Sequence, residues 1–119
     1  MSTGQCAARI VDVPAVKLVA AALPDEAARG RLADVFRALG DPTRVRLLLS
    51  LSRESLCVCD LSEIAGVSES AVSHQLRTLR DLRLVAWERD GKRAVYRLAD
   101  DNVRDLLAIG LAHAEEGSR

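Results

Sequence analysis

Aromatic side chains are scarce in this 119-residue sequence, where Phe36, Trp87 and Tyr96 make up 3%. That argues against a surface that binds single strands by stacking bases on rings. Long apolar runs are missing too. None approaches the roughly 20 residues that a membrane span needs, and the N-terminus lacks a basic region followed by an apolar block and a cleavage site. A soluble, cytoplasmic protein with no membrane partner is expected. Cysteine is sparse and odd in number, three in all, with Cys57 and Cys59 one residue apart. This is not the disulfide framework of a small secreted domain, so reduced thiols are expected. Net charge is absent as well: 17 Lys and Arg balance 17 Asp and Glu, and the sum gives no reason to expect a polyanionic partner. The sequence has no phosphate-cradling loop, no Cys-x-x-Cys on a βαβ pattern and no nucleophile with an evident base, which speaks against an enzyme.

What is present is a hydrophobic content of 49%, enough for one packed domain built from Leu, Ala and Val. Residues 1–24 read as an arm with one docking helix. From Asp25 to Leu39, the positions Leu32, Val35, Phe36 and Leu39 form one helical stripe. Gly40 stops it, and Asp41 caps a central helix that has Pro42 at its first position and Val45, Leu47, Leu48, Leu49 and Leu51 along it. Asp60–Val67 reads as a short helix ended by Gly66, and Ser68 caps the next, through Val72, Leu76 and Leu79. Together they make a helix-turn-helix. Two partly alternating stretches, Leu84–Arg89 and Arg93–Leu98, flank Asp90-Gly91-Lys92 as a β-hairpin wing. A final helix from about Asp101 to Glu116 has more apolar surface than a lone terminal helix can hide. The expected fold is mainly α with a β-hairpin wing (α+β). It is a winged helix-turn-helix over residues 25–100, paired as a homodimer through its N-terminal helix and a C-terminal helix within 101–119.

The zero net charge hides a distribution. Between Ser68 and Arg97 there are seven basic residues against four acidic ones, a net of +3, while from Leu98 to Arg119 five acidic residues face two basic ones, a net of −3. Phosphate contacts need Lys or Arg on the face that meets the duplex, and Arg77, Arg80, Lys92 and Arg93 offer them. Ser68, Ser70, Ser73, His74 and Gln75 sit where helix-turn-helix proteins place groups that reach base edges; Gln75 suits adenine. The plainer alternatives are a solvated mixed-charge surface and an ordinary exposed histidine.

Glu54-Ser55-Leu56-Cys57-Val58-Cys59-Asp60-Leu61, followed by Gly66-Val67-Ser68-Glu69-Ser70-Ala71-Val72-Ser73-His74-Gln75-Leu76-Arg77, resembles the ArsR/SmtB family of metal-sensing winged-helix repressors. The resemblance runs from Leu39-Gly40-Asp41-Pro42-Thr43-Arg44 to Tyr96-Arg97-Leu98 and is nearest to the zinc, cadmium and lead sensors with Cys-Val-Cys here. It implies a homodimer that represses an operon from operator DNA and is released when Zn(II), Cd(II) or Pb(II) binds thiolates. In a regular helix Cys57 and Cys59 would lie about 200° apart, so sharing an ion requires an irregular or extended helix start. Both are expected to precede the helix body. Thiolates are soft donors, and zinc takes four ligands. The resemblance implies that Cys6 is a third ligand, reaching the site from the arm of the partner subunit, and that Asp60 is a carboxylate ligand. It also implies a second site between terminal helices, for which Asp100, His113 and Glu116 match, although Asn102 stands where a histidine is expected. The alternatives are small buried cysteines without a ligand, an arsenite- or oxidant-sensing thiol repressor of the same fold, and a metal chaperone, which would have no use for the wing.

Overall fold

In the computed structural model, residues 10–116 are described; Cys6 lies outside them. The elements in chain order are α1 (Val13–Ala22), α2 (Glu26–Leu39), α3 (Pro42–Leu51), β1 (Leu56–Cys57), α4 (Val58–Ala65), α5 (Glu69–Asp81), β2 (Val85–Asp90), β3 (Arg93–Leu98) and α6 (Asp101–Glu116). Two compact units are distinguished, one ending at Arg31 and the other starting at Leu32.

Most helix starts use one device, a short oxygen-bearing side chain that accepts an otherwise unpaired amide hydrogen of the first turn. Asp12 accepts from Ala15 N at 3.1 Å, Asp25 from Ala28 N at 2.9 Å and Asp41 from Arg44 N at 3.0 Å. Ser68 does the same for Ala71 N and Asp100 for Val103 N, both at 3.0 Å. Pro14 and Pro42 occupy the first turns of α1 and α3, where a missing N–H goes unnoticed. Only α4 starts differently, on Cys57.

The core lies in the second unit. Leu47, Leu48 and Leu51 of α3 meet Leu61 of α4, Val72, Leu76 and Leu79 of α5, Leu84 and Val85 at the start of β2, Leu98 of β3, and Val103 and Leu107 of α6. Each fully buried leucine contributes about 2 kcal/mol relative to an exposed one. Gly66 ends α4 in the left-handed region at φ +70°, and Ser62 Oγ donates to Val67 O across the turn. Leu61, Val72 and Leu76 therefore reach one core from two helices. The stripe on α2 is only partly absorbed: Leu32 is 57% and Phe36 55% exposed.

The hairpin is as expected, with Val85 opposite Leu98 and Asp90 opposite Arg93. Gly91 opens its two-residue turn at φ +66°, a conformation suited to glycine. The sequence reading missed a third strand. β1 pairs antiparallel with β3, Leu56 opposite Tyr96 and Cys57 opposite Val95, giving the order β1-β3-β2. Two residues are too few to show alternation.

Candidate functional site

Cys57 is the last residue of β1 and also the N-cap of α4, with extended dihedrals of φ −89° and ψ 172°. Cys59 is placed in the first turn of α4, which corrects the expectation that both cysteines precede the helix body. One extended and one helical residue bring the two sulfurs together where a regular helix would separate them. Cys57 Sγ lies 3.1 Å from Cys59 Sγ, in an S–H···S contact, and also 3.1 Å from Asp60 Oδ2, to which it donates. Cys57 N donates to the same Asp60 Oδ2 at 3.2 Å. Asp60 thus completes the capping box that begins α4.

The three ligand atoms lie within 4.8 Å of one another, forming the only group of three or more His, Cys, Asp or Glu side chains with metal-ligand spacing found among the described residues. Cys57 is buried, Asp60 half-buried and Cys59 exposed, so the cluster opens outward. Its donor set fits a soft divalent ion, which prefers thiolates. With Zn–S bonds of about 2.3 Å a tetrahedral site separates its sulfurs by roughly 3.8 Å, so a small opening of the pair is needed. The fourth position must be supplied from outside these three residues. Hydrogen bonding from the Cys57 side chain and backbone N–H, helped by the Arg93 charge, holds the Asp60 carboxyl below its ordinary value of 3.8. The hydrogen bond with Cys57, that residue's charge and a smaller desolvation effect push the Cys59 thiol above its ordinary 9.0. Asp60 could serve as an anionic ligand, whereas Cys59 would have to release a proton to ligate an ion.

The helix α5 turns 100° per residue, which puts Ser70, His74 and Arg77 opposite the buried line of Val72, Leu76 and Leu79. All three are exposed, as are Ser68, Ser73, Arg80, Lys92 and Arg93. Gln75 is different: it is half-buried on the flank of α5, and its Oε1 accepts from Arg44 Nη1 at 3.3 Å. The three residues expected at a second site are not brought together within one chain. Asp100 caps the start of α6, and His113 lies about 20 Å further along that helix. His113 and Glu116 are exposed near its end.

The sequence pattern of the arsR family of bacterial regulatory proteins matches residues 41–86, from the cap of α3 to the start of β2. A cadmium resistance transcriptional regulatory protein CadC homolog of Staphylococcus aureus is 40% identical over 86 residues, 71% of this chain and 71% of that one. The chain belongs to the arsR family. Another family relative, the transcriptional repressor SmtB homolog of Synechocystis sp., is 50% identical over 86 residues, which is 72% of this chain and 65% of its own length. The solution structure of the homodimeric winged helix-turn-helix DNA-binding domain of Mb0332 from Mycobacterium bovis superposes with a TM-score of 0.73 at 28% identity, over 82% of this chain and 92% of that one. An arsR-family chain is a transcriptional regulator built on a DNA-binding winged helix-turn-helix, and its relatives are not enzymes. No described helix is long and apolar enough to cross a membrane.

Sequence reasoning missed Arg44 as a partner of the reading helix, and it missed the strand that ties Cys57 to the wing. The first carries a signal in hindsight, an arginine three residues after a helix cap. The second carries none, since only tertiary pairing makes Leu56–Cys57 a strand.

Proposed function

We propose that this protein is a metal-responsive repressor that binds operator DNA as a homodimer and leaves it when Zn(II), Cd(II) or Pb(II) occupies Cys57, Cys59 and Asp60. The observation that carries this reading is the thiol–thiol–carboxylate cluster at the start of α4, the first helix of the DNA-reading motif. Cys6, outside the described residues, is the further ligand in this reading, supplied by the partner's arm. The name of one relative, a cadmium resistance transcriptional regulatory protein, agrees with the soft donor set.

The winged helix-turn-helix of residues 25–100 would meet the duplex through Ser68, Ser70, Ser73, His74, Gln75, Arg77 and Arg80 of α5 and through Lys92 and Arg93 of the wing. The residues 1–24 and 101–119 would pair the subunits. A relative of the same fold is homodimeric, and Ile109, 70% exposed, and Leu111 on α6 are apolar surface that pairing would cover. Asp100 with His113 and Glu116 of two subunits is proposed as a second, weaker site. A bound ion would supply a strong local positive charge and a fixed geometry. Cys57 and Cys59 would then lose their thiol protons, Asp60 would trade its Cys57 thiol hydrogen bond for ligation, and the start of α4 would be held in a different relation to β1. A dimer in which both reading helices are shifted this way no longer fits successive major grooves.

Titration with Cd(II), followed by thiolate-to-metal charge-transfer absorption, tests the ligand set. The full chain should show three thiolates per ion, C57S or C59S should lose high-affinity binding while keeping operator binding, and C6S should lower the thiolate count by one. A full chain without charge-transfer absorption contradicts the metal reading. Operator release by peroxide and not by metals would assign the thiols to oxidant sensing instead.

A further inference from the structure

Arg44 sits at the corner where α2, α3 and α5 meet, and its donors reach acceptors at all three. Its backbone N–H bonds to the Asp41 cap at 3.0 Å. Its Nε donates to Ala38 O at 2.9 Å and its Nη2 to Arg37 O at 3.3 Å, so the guanidinium closes the carbonyl end of α2. Its Nη1 donates to Gln75 Oε1 at 3.3 Å. Three acceptors from two helices hold one rigid planar group.

A guanidinium has only donors, so the end of the Gln75 amide that faces it must be the oxygen. This fixes an orientation that would otherwise be free. A glutamine that reads adenine uses both ends of its amide, the oxygen accepting from N6 and the nitrogen donating to N7. Arg44 takes one of the two lone pairs of Oε1 and turns the oxygen toward itself, so the Nε2 hydrogens are the end of the amide that stays wholly available. We infer that Arg44 is a positioning residue for DNA reading: it holds the Gln75 oxygen and so favours Gln75 acting through its donor end, on an acceptor of the duplex, over the two-point adenine contact. The acceptor is guanine O6 or N7, thymine O4 or a phosphate oxygen. Gln75 approaches from the flank of α5 and not from the outermost line of Ser70, His74 and Arg77, which suits a single donor reaching sideways. The inference rests on the DNA-binding reading above.

The test uses the full-length protein, selection of duplexes from a randomised pool, and anisotropy titration on the selected operator. Q75E keeps an acceptor for Arg44 and has no donor. Its operator affinity should fall about tenfold, with thermal unfolding no lower than that of the wild type. R44M and Q75M should alter preference at the same base pair, and the double variant R44M/Q75M should bind within about twofold of R44M alone, as expected of coupled residues. R44K, which retains the charge without the planar fork, checks that any loss is not a failure to fold; it should still unfold in one cooperative transition, at or somewhat below the wild-type midpoint, and show the R44M preference. A loss confined to one base pair puts the donor on a base edge, and a uniform loss with a shallower salt dependence puts it on a phosphate; either result upholds the assignment. Q75E binding like the wild type, or R44M and Q75M acting additively, overturns it. A wild type that binds no duplex at low salt contradicts the DNA-binding reading itself, a result separate from these.

Discussion

Three residues show how single side chains set local behaviour here. Arg83 follows α5 in the left-handed region at φ 61°, with Arg83 N bonded to Arg80 O and Leu84 N to Leu79 O, each at 2.9 Å. That is the hydrogen-bond pattern of a helix end usually occupied by glycine, and an L-residue there is strained by about 1 kcal/mol. Arg83→Gly should therefore raise stability by about 0.5–1 kcal/mol in urea unfolding, the greater flexibility of the unfolded glycine taking back part of the gain. Cys59 carries the second expectation. Its thiol is pushed up, chiefly by the hydrogen bond with Cys57, so it is protonated near neutral pH and gives up that proton on ligation. Metal affinity should rise with pH up to the thiol range, by as much as about tenfold per unit for each proton released. Competition titrations at several pH values check this. The Asp60 carboxyl is shifted the other way, so its contribution to stability is present above the ordinary carboxylate value and fades as pH falls through the lower folded value.

At the scale of elements, β3 is the piece that joins the two halves of the proposed mechanism. Its Val95 pairs with Cys57 of β1, its Arg93 begins the strand at the wing turn, and the Arg93 charge favours the Asp60 carboxylate. A change at the thiolate cluster is thus one strand pairing away from the wing. If the wing meets phosphates, Lys92→Ala or Arg93→Ala should weaken binding similarly for all sequences and lower the slope of log affinity against log salt by about one each. The helices were legible beforehand because caps and stripes are local: Asp41-Pro42, Gly66 and Ser68 mark boundaries that the structure places within a residue or so, and the final helix spans Asp101–Glu116 as read. The hairpin was legible from Asp90-Gly91-Lys92 for the same reason. What escaped was tertiary. The strand Leu56–Cys57 exists only because β3 pairs with it, and the extended Cys57 followed by a helical Cys59 is what lets an i, i+2 pair meet. The restraint of Gln75 by Arg44 spans 31 positions of sequence, beyond the reach of any periodicity.

For the whole molecule, the zero net charge separates into a basic reading head and an acidic last helix, a pattern that suits a chain presenting one face to a polyanion. Leu32 and Phe36 on α2 and Ile109 on α6 are exposed apolar residues, which the proposed pairing of two chains would cover. In the proposed reading metal and DNA would be antagonistic ligands of one dimer, and by linkage each would weaken the other by the same factor. The most direct measurement is the affinity of the full-length protein for its selected operator, titrated with and without saturating Cd(II) under reducing conditions. A weakening of roughly 5- to 150-fold is expected with the ion bound, abolished in C57S and C59S. Equal operator affinity in the two titrations, with Cd(II) bound to the thiolates, would contradict it.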